Sequence, residues 1–445
     1  MRYLFVHQNF PGQYLHFVRH LLADGRNDVV FISEPNQNHL AGVRRVSYQL
    51  PKHTQEQTHP NARDYDLAAR RAEAVARTAE NVKRLGFTPD VIIGHHGWGE
   101  LLNLVDVWPD TPMLGYFEFY YQTVGQDVGY DPEFPIDPAR FARIRAMNVV
   151  NLLALNLQRH GQTPTRWQRE RYPEWARGPI QVLPEGANLD LCKPDPAVRK
   201  KPFAIGDFAV QPHEKLVTYV SRNLEPYRGF HTMIRALPHI LGERADTRVV
   251  LVGGDEVSYG AKLVDTTWRE HFQRELAGKY DESRVLLPGQ IPYETYRAML
   301  QRSDAHVYLT YPFVASWSLR EALACGCPLV ASDVEPVAEF VTDGISGILT
   351  SGLDAALLAR RVLEVLEDRR LAERLSVGAR RYAEANLDMR SHFAAFHARV
   401  AEITGGGRSG ETHAPTRRTV DQQHTHGKRT PGKIQPQRGL RSSRS

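Results

Sequence analysis

The feature that most constrains this chain is a succession of short apolar runs, three to five residues each, separated by amphipathic stretches. The early runs are Tyr3–Val6, Val29–Ile32, Val91–Ile93 and Met113–Phe117. The later ones are Leu216–Val220, Val249–Val252, His306–Leu309 and Leu329–Ala331. None alternates strictly between apolar and polar residues, so each predicts a strand covered on both faces. Between them, Asp66–Leu85, Phe230–Leu241 and Leu353–Glu367 read as amphipathic helices. The series breaks after one more expected strand, Ile180–Leu183. Pro184-Glu185-Gly186-Ala187-Asn188 and the Pro-rich stretch through Pro212 read as a linker, and a fresh series opens at Leu216. The pattern predicts an α/β chain of two Rossmann-like parallel-sheet domains, 1–185 and 186–404, facing a central cleft. The second domain includes a terminal helical stretch, Met389–Ile403. Ligands of such sheets bind at the carboxyl ends of the strands.

Composition excludes several other classes. A hydrophobic share of 42% and a charged share of 24% are ordinary globular values. Three cysteines, Cys192, Cys325 and Cys327, cannot form a disulfide scaffold or a four-cysteine zinc site. No apolar run approaches the ~18 residues of a membrane span, and the N-terminal run is too short for a signal peptide. The expected location is the cytoplasm, with a weak peripheral contact at the inner membrane left open. The net charge of +5 belongs to residues 405–445, which carry nine basic and two acidic residues. That tail is expected to be disordered, because it has too little apolar surface to offset its ordering entropy. Scattered basic residues favour a solvated tail over an arm for lipid or nucleic acid, and no specific nucleic-acid partner is expected. His424 and His426 make a weak metal pair, and Asp64-Tyr65-Asp66 lies ahead of a predicted helix, far from the strand ends. No metal is expected.

Three strand ends carry candidate chemistry. Asn9-Phe10-Pro11-Gly12-Gln13 follows the first strand, and Gly12 lets backbone approach a ligand. No G-x-G-x-x-G accompanies it, which weakens a dinucleotide reading. Arg222 and Arg228 bracket the loop Ser221–Gly229, and two guanidiniums can fork onto a diphosphate and stabilise it as a leaving group. Small residues in Ala315-Ser316-Trp317-Ser318-Leu319 suit amides aimed at phosphate oxygens, and Glu321 follows in the next helix. A carboxylate there accepts from a ribose diol or complements the helix dipole.

Leu319-Arg320-Glu321-Ala322-Leu323-Ala324-Cys325-Gly326-Cys327-Pro328-Leu329-Val330-Ala331-Ser332 resembles the LxEAMACGxPVVAS stretch of family-four retaining glycosyltransferases. Arg222 and Arg228 fall where that family has R-x5-K-G, with arginine in the lysine's place. Val249–Asp255 resembles its LxxxGxG strand end, Pro288-Gly289-Gln290-Ile291 its LGxV turn, and Asp343-Gly344-Ile345-Ser346-Gly347 its DGxxGxLV turn. The first half resembles it more loosely, through Asn9–Gly12 and Pro89–His95. The resemblance implies a GT-B fold and hexosyl transfer from a nucleoside diphosphate sugar to a saccharide, lipid-linked or small-molecule acceptor. It implies that Arg222 and Arg228 hold the diphosphate. The amides of Ser316, Trp317, Ser318 and Leu319 meet phosphate and sugar, Glu321 the ribose and Ile291 the base, while Gly12 lets the first domain close. It implies no cofactor, since cationic side chains and helix N-termini replace a metal.

Two positions depart from the family pattern. The first glutamate of its Glu-x7-Glu motif, which touches the donor sugar, is Phe313 here. In the first domain the family often has a histidine near the reacting carbon, and Gly115-Tyr116-Phe117-Glu118-Phe119-Tyr120 aligns Glu118 with it. Glu118 would stabilise oxocarbenium-like charge or position the acceptor. His95 and His96 are alternatives for which a core or loop role is favoured. Phe117, Phe119, Tyr120 and Tyr121 stack on a sugar or pack in the core. Rival readings are a GT-B sugar-nucleotide epimerase and a noncatalytic nucleotide-sugar-binding protein, the latter suggested by Phe313.

Overall fold

In the computed structural model, which describes residues 1–50, 58–157 and 159–405, two parallel sheets form the frame. The basic tail beyond Gly405, with His424 and His426, lies outside the described residues. The first sheet holds β1 (Arg2–Val6), β2 (Asp28–Ser33), β3 (Val43–Ser47), β4 (Val91–His95), β5 (Met113–Tyr116), β6 (His160–Thr163) and β7 (Ile180–Val182). They run in the order β3-β2-β1-β4-β5-β6-β7, all parallel. A short antiparallel hairpin, β8 (Phe203–Ile205) and β9 (Phe208–Val210), precedes the second sheet. That sheet holds β10 (Lys215–Asn223), β11 (Thr247–Gly254), β12 (Val285–Gly289), β13 (Ala305–Tyr308), β14 (Leu329–Ser332) and β15 (Ile348–Thr350). Its order, β12-β11-β10-β13-β14-β15, is also parallel throughout. Both orders reverse beside the first strand of the half, between β1 and β4 and between β10 and β13. Those reversals open the crevices where ligands of such sheets lie.

Burial explains the apolar runs. Every residue of β4, β5, β13 and β14 is buried, as expected where helices cover both faces. The helix Arg63–Arg84 buries Ala68, Ala72, Val75, Ala79 and Val82 along one stripe, a spacing of three to four residues. Among the described residues no helix is long and apolar enough to cross a membrane.

The stretch read as a linker is more ordered than expected. It contains the β8–β9 hairpin, and Ala187 bridges to Asp388. Ala187 N–H donates to Leu387 O at 2.8 Å, and Met389 N–H donates to Ala187 O at 3.2 Å. The chain therefore crosses between the sheets twice, side by side. A Cβ on Gly186 would stand 2.6 Å from Met389 Cα, so this close approach needs glycine. After the second crossing, helix Met389–Gly405 packs Phe396, Val400 and Ile403 into the core of the first sheet, against Phe17, Val18 and Leu21.

Candidate active site

The candidate residues of the second half cluster at the β10/β13 reversal. After β10 the chain makes a turn, Pro226–Arg228, ending on Gly229 with a left-handed φ of +71°. A Cβ there would also sit 2.4 Å from Leu309 Cβ, so glycine is required twice over. Arg228 is 8% exposed. Its Nη1 donates to Thr310 Oγ1 at 2.8 Å and to Val314 O at 3.2 Å, tying it to the loop after β13. Tyr259 and Phe313 present ring faces to its guanidinium at 5.1 and 5.6 Å. No carboxylate pairs with it among the described residues. Arg222, in contrast, is exposed and reaches Glu118 only electrostatically.

Glu225, fully buried between the two arginines, accepts from the amides of Ser258, Tyr259 and Gly260 at 3.1–3.3 Å. This pins the loop after β11 and holds Tyr259 over Arg228. Phe313, which stands where the family has a carboxylate, is 7% exposed. Its ring packs on Phe119 of the first sheet's half at 4.6 Å, on Tyr259 at 4.8 Å and on Tyr227 at 5.2 Å. Phe313 thus forms an apolar seal between the halves.

The helix Trp317–Ala324 begins at this loop, with Ser316 at its cap. The expectation of four open amides is corrected by local bonding. Ser316 N–H donates to Tyr308 Oη at 2.8 Å, and Leu319 N–H to Ser316 O at 3.3 Å. Leu319's side chain lies in the core. Trp317 and Ser318 keep amides without an acceptor among the described residues, and Ser318 Oγ pairs with Ser316 Oγ at 2.6 Å. Glu321 is held by two hydroxyls, Tyr293 on Oε1 and Tyr296 on Oε2, both at 2.8 Å. Burial raises its carboxyl pKa, opposed by these hydrogen bonds. Ile291 follows Gly289, whose φ is +74°, and packs half-buried beside the same core.

Across the cleft, the β1/β4 reversal gathers His7, His95 and Glu118. Gly97 N–H donates to His95 Nδ1 at 2.9 Å, and His95 Nε2 meets Glu118 Oε2 at 3.3 Å. Asn9 N–H donates to His7 Nδ1 at 2.9 Å, and the two imidazoles meet edge to face at 5.7 Å. Burial, with His95 beside it, drives the His7 pKa down to about 3. Burial pushes the Glu118 carboxyl up, but the His95 hydrogen bond, with His7 and the Arg222 charge beside it, outweighs burial and leaves the pKa below the ordinary value. Gly12, at φ +53°, turns directly over His7, where a Cβ would come within 2.9 Å of Nδ1. His96 is fully buried against Phe117. Phe117 and Phe119 are core residues, so of the two aromatic readings the packing one holds for them.

Several residues here carried no motif. Glu185, in the first crossing, accepts from Tyr116 Oη at 3.3 Å and from Trp317 Nε1 at 2.7 Å, joining the two sides of the cleft. The long segment after β5 reaches over the second half. Asp127 accepts from Tyr227 Oη at 2.7 Å and Asp131 from Tyr311 Oη at 2.6 Å. Glu133 pairs with Arg235 at 2.6 Å. His231 Nε2 also meets Asp131 at 3.0 Å. Glu339 of the second half accepts from the amides of Arg166 and Trp167 at 2.9 and 3.0 Å, capping helix Arg166–Arg171. Asp64 pairs with Arg143 at 2.9 Å.

Comparison with known proteins agrees with this architecture. Residues 25–192 match the model described as glycosyl transferase family 4 group, and residues 204–382 match glycosyl transferases group 1. A GDP-mannose-dependent α-(1-6)-phosphatidylinositol monomannoside mannosyltransferase of Mycolicibacterium smegmatis is 29% identical over 257 residues. The match covers 55% of this chain and 61% of that protein. The chain spans about half the length of the curated relatives it matches. Among solved structures, a sucrose-phosphate synthase from Thermosynechococcus elongatus superposes with a TM-score of 0.69 at 18% identity, over 91% of this chain and all of the other. Anabaena HepE in complex with UDP and glucose gives 0.64 at 17% identity, over 90% and 99%. At these identities the structures show the shared GT-B fold. With both halves matched in order and the strand-end motifs in the same cleft, the chain belongs to the family 4, group 1 glycosyltransferases.

Proposed function

We propose that this protein is a retaining glycosyltransferase that moves a hexose from a nucleoside diphosphate sugar to a saccharide, lipid-linked or small-molecule acceptor. Residues 1–185 would form the acceptor side and 186–404 the donor side. The observation that carries the reading is Arg228, a buried guanidinium bonded to a hydroxyl, a carbonyl and two ring faces but, among the described residues, to no carboxylate. A desolvated cation without a counter-charge is costly. A diphosphate beside it supplies that charge, and Arg228 with Arg222 would stabilise the diphosphate as it leaves. The amides of Trp317 and Ser318 would take its oxygens, Glu321 the ribose and Ile291 the base.

In this mechanism the bond between the sugar's anomeric carbon and the diphosphate oxygen breaks. Glu118 stabilises the positive charge that develops on the sugar. The acceptor hydroxyl then attacks from the face the diphosphate leaves, and its proton passes to the diphosphate. The Anabaena complex with UDP and glucose supports the donor class. The mycobacterial relative, named for a phosphatidylinositol substrate, supports a lipid-linked acceptor, which would bring the protein to the inner membrane as a peripheral visitor.

A thermal-shift panel of nucleoside diphosphates and their sugars tests the proposal, since a ligand of the native state raises the melting temperature by mass action. The reading fails if no member of the panel does so. Phe313 favours one second reading, a noncatalytic nucleotide-sugar binder, which would bind a donor yet release no nucleoside diphosphate from it.

A further inference from the structure

His95, Glu118 and His7 come from the ends of three neighbouring strands and meet at the β1/β4 reversal. The Gly97 amide can only donate, so His95 Nδ1 must accept, and the single imidazole proton is on Nε2. That N–H faces Glu118 Oε2 at 3.3 Å. The ring has little freedom to turn elsewhere. His95 is 3% exposed and is flanked by Tyr116 at 5.2 Å, His7 at 5.7 Å and Trp98 at 5.8 Å between ring centres. Glu118, by contrast, keeps 37% of its side chain exposed to the cleft. An open carboxylate on a flexible side chain loses orientation unless something anchors it.

We infer that His95 is a positioning residue for the proposed transfer: it presents one N–H to Glu118 and fixes where that carboxylate stands in the cleft. The inference deepens the transferase reading and assigns the anchor for Glu118 to a residue that does not touch the sugar. The charged and titratable groups around Glu118 are His95, His7, Arg222 and the hydroxyls of Tyr14, Tyr116, Tyr121 and Tyr172. His7 stays neutral down to about pH 3, and burial holds those four tyrosines protonated. His95, His7 and Arg222 are the groups that favour the ionised carboxylate, with the His95 hydrogen bond first among them.

The test uses the full chain and two variants, His95→Leu, which lacks a donor, and His95→Gln, which restores an N–H at similar reach. The first readout is the Glu118 carboxyl titration by carbon NMR, assigned by its loss in Glu118→Gln. In the wild type it titrates below the ordinary glutamate range. It should move up in His95→Leu and return most of the way in His95→Gln. The second readout is UDP or GDP release from UDP-glucose and GDP-mannose across pH. His95→Leu should lose at least tenfold in turnover, with its acid limb shifted to higher pH, while affinity for UDP and GDP is unchanged. His95→Gln should recover most of the rate. An unmoved titration in His95→Leu overturns the anchor, as does a His95→Gln variant as impaired as His95→Leu. A shifted titration with full turnover overturns the positioning role. If the wild type binds no nucleoside diphosphate of the panel, the transferase reading fails instead, and the titration still decides whether His95 holds Glu118.

Discussion

Replacing Arg228 by methionine separates a functional cation from a structural one. Methionine keeps much of the buried volume but removes the charge and five N–H donors. Nη1 is engaged with Thr310 Oγ1 and Val314 O and the Tyr259 side chain takes a further hydrogen bond, which leaves the rest of the guanidinium's five N–H groups for a ligand. One charge-assisted hydrogen bond contributes about 1.5–3 kcal/mol. Loss of a single such bond should therefore raise the Kd for UDP or GDP by roughly 10- to 150-fold. Stability should move differently. An ion-paired arginine leaves an orphaned partner when removed, but among the described residues Arg228 has no carboxylate to orphan, and an apolar replacement of a buried charge is often neutral or stabilising. The expected signature is weaker nucleotide binding in calorimetry with an unchanged or raised melting temperature. Unchanged affinity for whichever nucleoside diphosphate the wild type binds would refute the reasoning. A melting temperature that falls while affinity holds would show that Arg228 serves the fold.

Other expected outcomes follow from the same contacts. Phe313→Glu should weaken nucleotide binding, because its carboxylate competes with the diphosphate for Arg228, and calorimetry reads the loss. Phe313→Ala removes the ring packed on Phe119 and should cost about 3–5 kcal/mol in urea denaturation. Tyr311→Phe deprives buried Asp131 of a donor at 2.6 Å and should cost about 1–3 kcal/mol, so an unaltered unfolding midpoint would remove the segment after β5 from the forces holding the halves together. Burial lowers the pKa of His7 and His306 to about 3, against ~6.5 in the unfolded chain. The unfolded state then takes protons that the fold refuses, so stability should fall as pH drops from 6.5 toward 3. The slope approaches about 1.4 kcal/mol per pH unit for each histidine. His306→Leu should remove one histidine's share of that slope.

How much of this was legible beforehand depends on whether a feature is local. The runs Tyr3–Val6 and Leu216–Val220 show themselves because burial on both faces demands unbroken apolar sequence, and both are strands. Val43–Ser47 shows no such run because Arg44 and Arg45 interrupt it, which an edge strand tolerates. The hairpin Phe203–Val210 lies inside a Pro-rich stretch that masks it, although Gly206-Asp207 between two apolar triplets is a turn signal. In the site, Arg222, Arg228 and Glu321 stand out because a motif fixes their spacing. What surrounds them does not. Tyr259 lies over Arg228 only because Glu225 binds the amides of Ser258–Gly260, and Tyr293 and Tyr296 reach Glu321 from a separate helix. Such partners are set by how the sheets pack, and no local pattern announces them.

The return of the last helix to the first sheet has a consequence for how the molecule comes to be. Phe17 and Leu21 leave the ribosome early, yet the side chains that cover them, Phe396, Val400 and Ile403, are translated nearly four hundred residues later. The beginning of the chain must wait with an uncovered apolar face while the whole second half is made. Synthesis halted shortly before Met389 would leave a nascent protein with both sheets encoded and one of them still open to misassembly.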